Sequence, residues 1–229
     1  MQPSTQWKEH IAPDETERFA RYGERFAAIQ SRKSAKYGSG RALHRKQLTV
    51  ARGTLEVLPD LPRFASHGLF ASSGPHDVWV RLSNGGMDRA PDAVPDIRGF
   101  ALHVSGVHGE SALGNGLAKS QDFTLINQEK FAFARTDEFV DFVVAAANGN
   151  GALLKFLIKR YGLFGGPARI ARMLKTVSKP FGGFATDALF SSVPMACGPY
   201  AVRERLVPAD SNAMATSGAN KDWGRDFRG

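Results

Sequence analysis

Apolar positions near the start of the chain fall at Phe19, Tyr22, Phe26 and Ile29, the spacing of one helical face. Asp14-Glu15-Thr16-Glu17 ahead of them has the composition of a capping box, and Gly38 and Gly40 supply a stop after about Lys36. The pattern then changes period. Val50–Leu58, Asp77–Ser83, Ile97–Val107 and Gln121–Asn127 are rich in β-branched and aromatic residues and are separated by Gly, Pro, Asn and Asp clusters, which predicts strands of an antiparallel sheet or barrel. From Thr136 the helical period returns, with Thr136-Asp137 as the start signal for a helix over Phe139–Ala147, then Ala152–Tyr161 and Ala168–Val177. Two more strands, Leu189–Ala196 and Tyr200–Val207, follow the loop from Lys179 to Phe184.

The order of these elements predicts an α+β fold. Residues 1–39 form an N-terminal helical arm, and residues 40–208 an antiparallel β-barrel domain with a helical insertion at about 136–178. Residues 209–229 are a polar tail or the start of a helix that Asn220-Lys221-Asp222-Trp223 would begin. Because no clear closing element follows, a domain cut short at its C-terminus is the expectation.

Composition narrows this little. At 229 residues the chain can bury a substantial core, its 42% hydrophobic and 23% charged residues are ordinary for a globular protein, and 24 Gly with 12 Pro imply many turns. The formal net charge of +8 favours an anionic partner: nucleic acid, an anionic membrane or a carboxylate-bearing ligand. Its basic residues are dispersed and carry no nucleic-acid-binding signature, so nucleic acid is not the expected partner. The single cysteine, Cys197, excludes an intrachain disulfide and is read as a small buried residue rather than a nucleophile. With no apolar signal core, and a greasiest stretch (Phe139–Phe164) interrupted by Asp141, Asn148, Asn150, Lys155 and Lys159, the expectation is a cytoplasmic protein with no membrane span. His10, His67, His76 and His108 lie in expected loops without the spacing of a zinc site, and Walker, dinucleotide-binding and serine-elbow motifs are missing. No protein-only metal site is expected.

Candidate chemistry begins at Gly40-Arg41-Ala42-Leu43-His44-Arg45-Lys46, which sets one histidine among guanidinium groups just ahead of the first strand. A histidine in a basic loop is ordinarily a solvated surface residue; company elsewhere in the chain changes that. Strand alternation puts Val78, Val80 and Leu82 on one face and Trp79, Arg81 and Ser83 on the other, so a guanidinium and a hydroxyl share a side, either as solvated polar groups or as parts of a site. The same alternation sets Asn127 with Phe123 and Leu125, as a strand-ending turn residue or a directed donor. Arg98 falls with Phe100, Leu102 and Val104; Gly99 opposite would admit a flat ligand or another backbone, and His103 on that small-residue face reads as a satisfied core histidine.

Taken in order, Arg41-x-x-His44, Val80-Arg81-x-Ser83, Pro95-Asp96-Ile97-Arg98-Gly99-Phe100-Ala101 and Asp122-Phe123-x-x-Ile126-Asn127 with Arg135 beyond resemble the motifs of the haem catalase family. The resemblance is firm from about Gly40 to Arg135. It runs more loosely to Pro208, where Gly198-Pro199-Tyr200-Ala201-Val202-Arg203 is similar to a later barrel strand of small catalase-related peroxidases. It implies haem b as cofactor and a peroxide as substrate. His44 would be the distal acid–base, Asn127 the group that orients the peroxide, and Ser83 the hydroxyl that holds the imidazole. Arg41 and Arg81 would partner the haem propionates, with Leu43 and Phe133 at the pocket wall. Leu43 is apolar as in catalases, whereas the fold-related allene oxide synthases carry a threonine there. Ala132 departs from the family, which usually has a second pocket phenylalanine. The axial tyrosine is not found: of Tyr22, Tyr37, Tyr161 and Tyr200, only Tyr22 sits in an Arg-x-x-x-Tyr frame, at the wrong end of the chain, and it reads as helix packing. Two alternatives therefore stay open, a degenerate or truncated catalase-like domain without activity and an organic-hydroperoxide lyase on the same fold, as does a homo-oligomeric state.

Overall fold

The computed structural model of the protein describes residues 3–111, 114, 116–209 and 222–228. The polar run expected over 210–220 lies outside the described residues.

Helix α1 spans Glu15–Tyr37 and ends where Gly38 takes φ +80 and donates its N–H to the Ser34 carbonyl at 2.9 Å. The expected capping box is not made. Asp14 has no side-chain bond to the helix N-terminus and instead pairs with Arg18 one turn on, while Glu15 reaches back to the Ala12 N–H at 3.3 Å.

Four long antiparallel strands follow as consecutive neighbours: β1 (Gln47–Val57), β2 (Gly74–Asn84), β3 (Arg98–Glu110) and β4 (Leu117–Ile126). The alternation read from sequence is realised. Val78, Val80, Leu82, Phe100, Val104, Phe123 and Leu125 are buried together on one side as the core, while Trp79 on the other side is 47% exposed under the Arg52 guanidinium. His103 corrects one expectation: it is exposed, and its Nδ1 meets the Asp122 carboxylate at 2.7 Å across the β3–β4 ladder, because the small-residue face of β3 is the outer one.

Helix α2 covers Thr136–Ala147, and α3 covers Asn150–Val177 with a break at Gly162 (φ +80), matching the two helical segments expected there. Arg135, not Thr136, occupies the cap position of α2, and it makes no side-chain cap. The last two expected strands are each split. The pieces β5 (Leu189–Ser191) and β8 (Arg205–Leu206) join the main sheet, and β6 (Met195–Cys197) pairs with β7 (Tyr200–Val202) as a separate two-stranded ribbon around Gly198 at φ +55. Pro194 cannot donate to a ladder, which separates β5 from β6. The main sheet runs β1-β2-β3-β4-β5-β8 and curls into a half-barrel; among the described residues no pairing joins β8 back to β1, so closure into a barrel is not shown. No helix is long and apolar enough to cross a membrane among the described residues.

A short C-terminal helix, α4 (Trp223–Arg228), docks on the core through one buried carboxylate. Asp92 accepts hydrogen bonds from Lys46 Nζ (2.5 Å), Asn84 Nδ2 (2.9 Å) and the Trp223 N–H (3.1 Å), while its backbone carbonyl receives Arg98 (2.8 Å) and the Trp223 indole N–H (3.1 Å). Arg98 also lies over the Trp223 ring, so a buried guanidinium, an ammonium and a carboxylate hold one another in place. Removing the carboxylate leaves the Lys46 ammonium without its counter-charge and the Trp223 N–H without its acceptor. Asp92→Ala is expected to lower stability by about 3–5 kcal/mol, as for broken buried pairs. The checks are the midpoint of urea unfolding and a red shift of tryptophan emission as Trp223 loses its seat.

Candidate functional site on the outer sheet face

The loop before β1 is laid against the end of β2 by three backbone bonds. The His44 N–H donates to Gly85 O (3.0 Å), the Arg45 N–H to Gly86 O (3.3 Å), and the Asn84 N–H to Lys46 O (3.0 Å). Gly86 and Ile97 are in turn held by the Asp96 carboxylate at 3.0 and 2.8 Å. Arg45 is buried and points away from the site: it donates to Arg41 O (2.5 Å), Gly38 O (2.5 Å) and Ser34 Oγ (3.0 Å), tying the end of α1 to the loop. The two arginines that flank His44 in sequence therefore separate in space, Arg41 toward the site and Arg45 into the scaffold.

His44 itself sits at φ +49, a left-handed conformation that costs a non-glycine residue about 1–2 kcal/mol. The surrounding contacts hold it there. Its Nδ1 lies 3.0 Å from Ser83 Oγ, and Arg81 donates to its carbonyl at 2.5 Å. Its ring lies on the bare Cα of Gly99: a Cβ at that position would fall 2.5 Å from Nδ1, 2.6 Å from Cε1 and 3.0 Å from Ser83 Oγ. The close approach expected at Gly99 is thus made by an imidazole, not by a flat ligand or another backbone.

These groups line a cavity of about 330 Å³, within the size range of small-molecule sites. Arg41, His44, Arg81 and Ser83 form its polar side, and Leu43, Gly99, Phe100, Ala101, Thr124, Leu125, Ile126 and Ser192 complete it. Sequence reading did not single out Ala101, Thr124 or Ser192; Ala101 and Thr124 share the outer-face register with Gly99 and Ile126, a signal that strand alternation carries. Asn127 is not among the lining residues. It lies one residue past β4, where its Oδ1 accepts the Arg98 N–H at 2.8 Å and its own N–H donates to Arg98 O at 3.1 Å, a strand-ending bracket that turns its Nδ2 into the group left for other contacts. Phe133 is buried elsewhere, with ring centroids 5.0 Å from Phe142, 5.5 Å from Phe139 and 5.9 Å from Phe131, and packs on α2.

The electrostatics are one-sided. Burial, then Arg81 and Arg41, push the His44 imidazole down to about 4, so it is neutral across the physiological range. Burial and Arg41 likewise hold the Arg81 guanidinium below its usual value. Two guanidinium groups beside a neutral base describe a seat for an anion, and bidentate carboxylate binding suits them.

Arg41 and Arg81 supply this cavity with two cations able to receive the carboxylates of a ligand, while the low relief at Gly99 is already taken by the His44 ring. No tyrosine lines the cavity. Tyr22 packs on Phe19, Tyr37 lies beside Lys36 and Arg45, Tyr161 donates to Glu138, and Tyr200 packs on Phe64 and His67, so the described residues do not supply the iron's axial ligand. Cys197, expected to be buried, is half-buried, and burial with nearby Glu204 pushes its thiol up, which disfavours the nucleophilic thiolate. Among the described residues no group of three or more His, Cys, Asp or Glu side chains is placed to hold a metal ion.

No protein-family model matches the chain, and no curated protein matches it. Among solved structures the chain is similar to a bacterial catalase, with a TM-score of 0.46 and 18% identity over 84% of this chain. The chain spans 34% of the length of that catalase chain.

The first measurements concern His44. Its folded pKa lies below the 6.5 of the unfolded chain, so its contribution to stability is complete above pH 6.5 and is lost as pH falls through about 4. NMR titration of the imidazole is expected to give a midpoint near 4, and Ser83→Ala and Arg81→Ala should each raise it if the ring then moves toward solvent. Gly99→Ala is expected to destabilise by about 1–3 kcal/mol through overpacking and to move the His44 midpoint back toward 6.5, read from thermal melts and the same titration.

Proposed function

We propose that the outer face of the half-barrel is a peroxide-handling site of catalase type, in which His44 moves the peroxide proton and haem b is the cofactor. The observation that supports this most is the single arrangement of His44: ring on Gly99, Nδ1 on Ser83, neutral, and beside two guanidinium groups in one cavity. The order of the sequence motifs that resemble haem catalases supports it independently.

Heterolysis of an O–O bond needs a proton taken from one oxygen and given to the other. Because Ser83 occupies Nδ1, the transfer falls to Nε2, and because the ring is neutral it can accept the proton without first losing one. Arg41 and Arg81 would bind the carboxylates of the cofactor, and burial keeps the imidazole deprotonated until the peroxide arrives. Leu43 and Phe100 limit water at the cavity wall. Asn127 lies one residue beyond the lining Ile126, and its Nδ2 is the donor that would orient the second oxygen. Bound haem would supply the electrons that O–O cleavage consumes. The substrate in this reading is a small peroxide, with hydrogen peroxide the first to test.

Haemin titrated into the purified chain is expected to bind with a Soret change, and Arg41→Ala combined with Arg81→Ala should weaken that binding at least tenfold. His44→Ala should keep haemin affinity while peroxide consumption falls by about 10²–10⁴-fold, the usual worth of a positioned acid–base group. With His44 the acid limb of turnover should lie below pH 6.5, since burial holds the imidazole down even when the guanidinium groups carry an anion. The proposal fails if haemin does not bind, or if His44→Ala turns over peroxide at the full rate.

A further inference from the structure

The concave side of the sheet holds a second cavity, of about 170 Å³, whose wall is apolar except at one end. Leu55, Phe70, Phe100, Phe123 and Leu125 line most of it, and Glu204, Arg205 and Leu206 close it at the start of β8. Glu204 is fixed by its backbone, since its N–H donates to Ser191 Oγ at 2.9 Å and its carbonyl accepts the Ser191 N–H at 3.0 Å. Among the described residues its carboxyl makes no hydrogen bond and no ion pair, although arginines flank it on both sides. Arg203 donates instead to the carbonyls of Glu129 and Ser191, and Arg205 lies over the Phe190 ring at 5.5 Å. A half-buried carboxyl facing an apolar wall, paired with neither neighbouring arginine although Arg205 also lines the cavity, is costly unless a ligand supplies the missing charge. Burial accordingly pushes Glu204 up to about 7.

We propose that this inner cavity is a second binding site, for a small primary amine on an aromatic or short hydrocarbon body, with the ammonium on Glu204 and the body among Phe70, Phe100 and Phe123. The chemistry selects this class twice. A carboxylate pairs with an ammonium, and phenyl faces attract the same charge while burying the hydrocarbon. Size sets the limit: an apolar cavity of about 150 Å³ accommodates one benzene ring, so the ligand is one ring or its aliphatic equivalent with a short arm. The site is independent of the outer one, since its occupancy requires neither haem nor peroxide.

The experiment is calorimetric or NMR titration of the full chain, without haemin, with benzylamine, benzyl alcohol and benzoate at neutral pH. Benzylamine is expected to bind saturably at one site, at least tenfold more tightly than benzyl alcohol, with benzoate weaker still. Glu204→Gln keeps the shape of the side chain and should remove the preference for the amine while leaving benzyl alcohol unchanged. Leu55→Trp, which fills the cavity from β1, should abolish binding of both in a variant whose circular dichroism matches the parent. Absence of saturable benzylamine binding, equal affinity for the amine and the alcohol, or an undiminished preference in Glu204→Gln would each overturn the proposal.

Discussion

The contact on which the site depends is the one between the His44 ring and the bare Cα of Gly99. A side chain there would enter the imidazole at 2.5 Å, so the absence of a Cβ on β3 decides where a histidine from the preceding loop can rest. The remaining constraints converge on that resting place. Ser83 fixes the ring from β2, Arg81 fixes the carbonyl, and Gly85 and Gly86 receive the loop's N–H groups. The left-handed backbone of His44 is then a cost carried by the surrounding bonds, which is how strained residues at functional positions persist. Arg45, sunk beneath the loop with two hydrogen bonds to the end of α1 and one to Arg41 O, anchors the whole from behind.

One sheet thus presents two faces of opposite character, and each residue's side is set by the two-residue period of a strand. The inner face is core, continuous from Val78 to Leu125 and capped by Trp223 of α4. The outer face carries guanidinium, hydroxyl and imidazole groups. Phe100 and Leu125 border both cavities, so the wall between a polar site and an apolar one is two side chains thick at most. The buried Asp92 network sits at the edge of this sheet, where Lys46 follows the His44 loop and Arg98 precedes Gly99. It therefore links the seat of α4 to both strands of chain that form the histidine's cradle.

Much of this was legible in the sequence because strand alternation is a local property. The facing of Val78, Val80 and Leu82 away from Arg81 and Ser83 needed only the period, and so did the burial of Arg98 beside Phe100. What the sequence hid are matters of tertiary choice. Nothing in Arg41-Ala42-Leu43-His44-Arg45 says which arginine turns inward; that depends on where α1 ends. His103 was read as core because its neighbours are small, yet small residues on β3 mark the face that receives a ligand or a loop, and His103 lies past that zone, paired with Asp122 on the surface. Phe133 has the right position in a motif but packs on α2, since a loop residue follows the nearest apolar surface. The barrel was expected from the β-rich runs together with the catalase resemblance; Pro194 divides the first of the last two runs, the second breaks at Arg203 and Glu204, and among the described residues no pairing closes the sheet.

The electrostatic design of the outer site follows from the same geometry. Arg41 and Arg81 stand on the same cavity as His44, and no carboxylate is among the residues that line it with them. Their charge has two effects that cannot be separated. It attracts an anion, and it keeps the imidazole unprotonated well below the pH at which a solvated histidine would charge. An anion seated between the guanidinium groups offsets the second effect, leaving burial as the remaining cause of the depressed imidazole. Occupancy therefore raises the basicity of His44 toward neutrality, so the base is strengthened only when its anionic companion is in place. The same coupling read in reverse requires that protonating His44 weaken the anion's hold, since the third positive charge it adds is desolvated beside the other two.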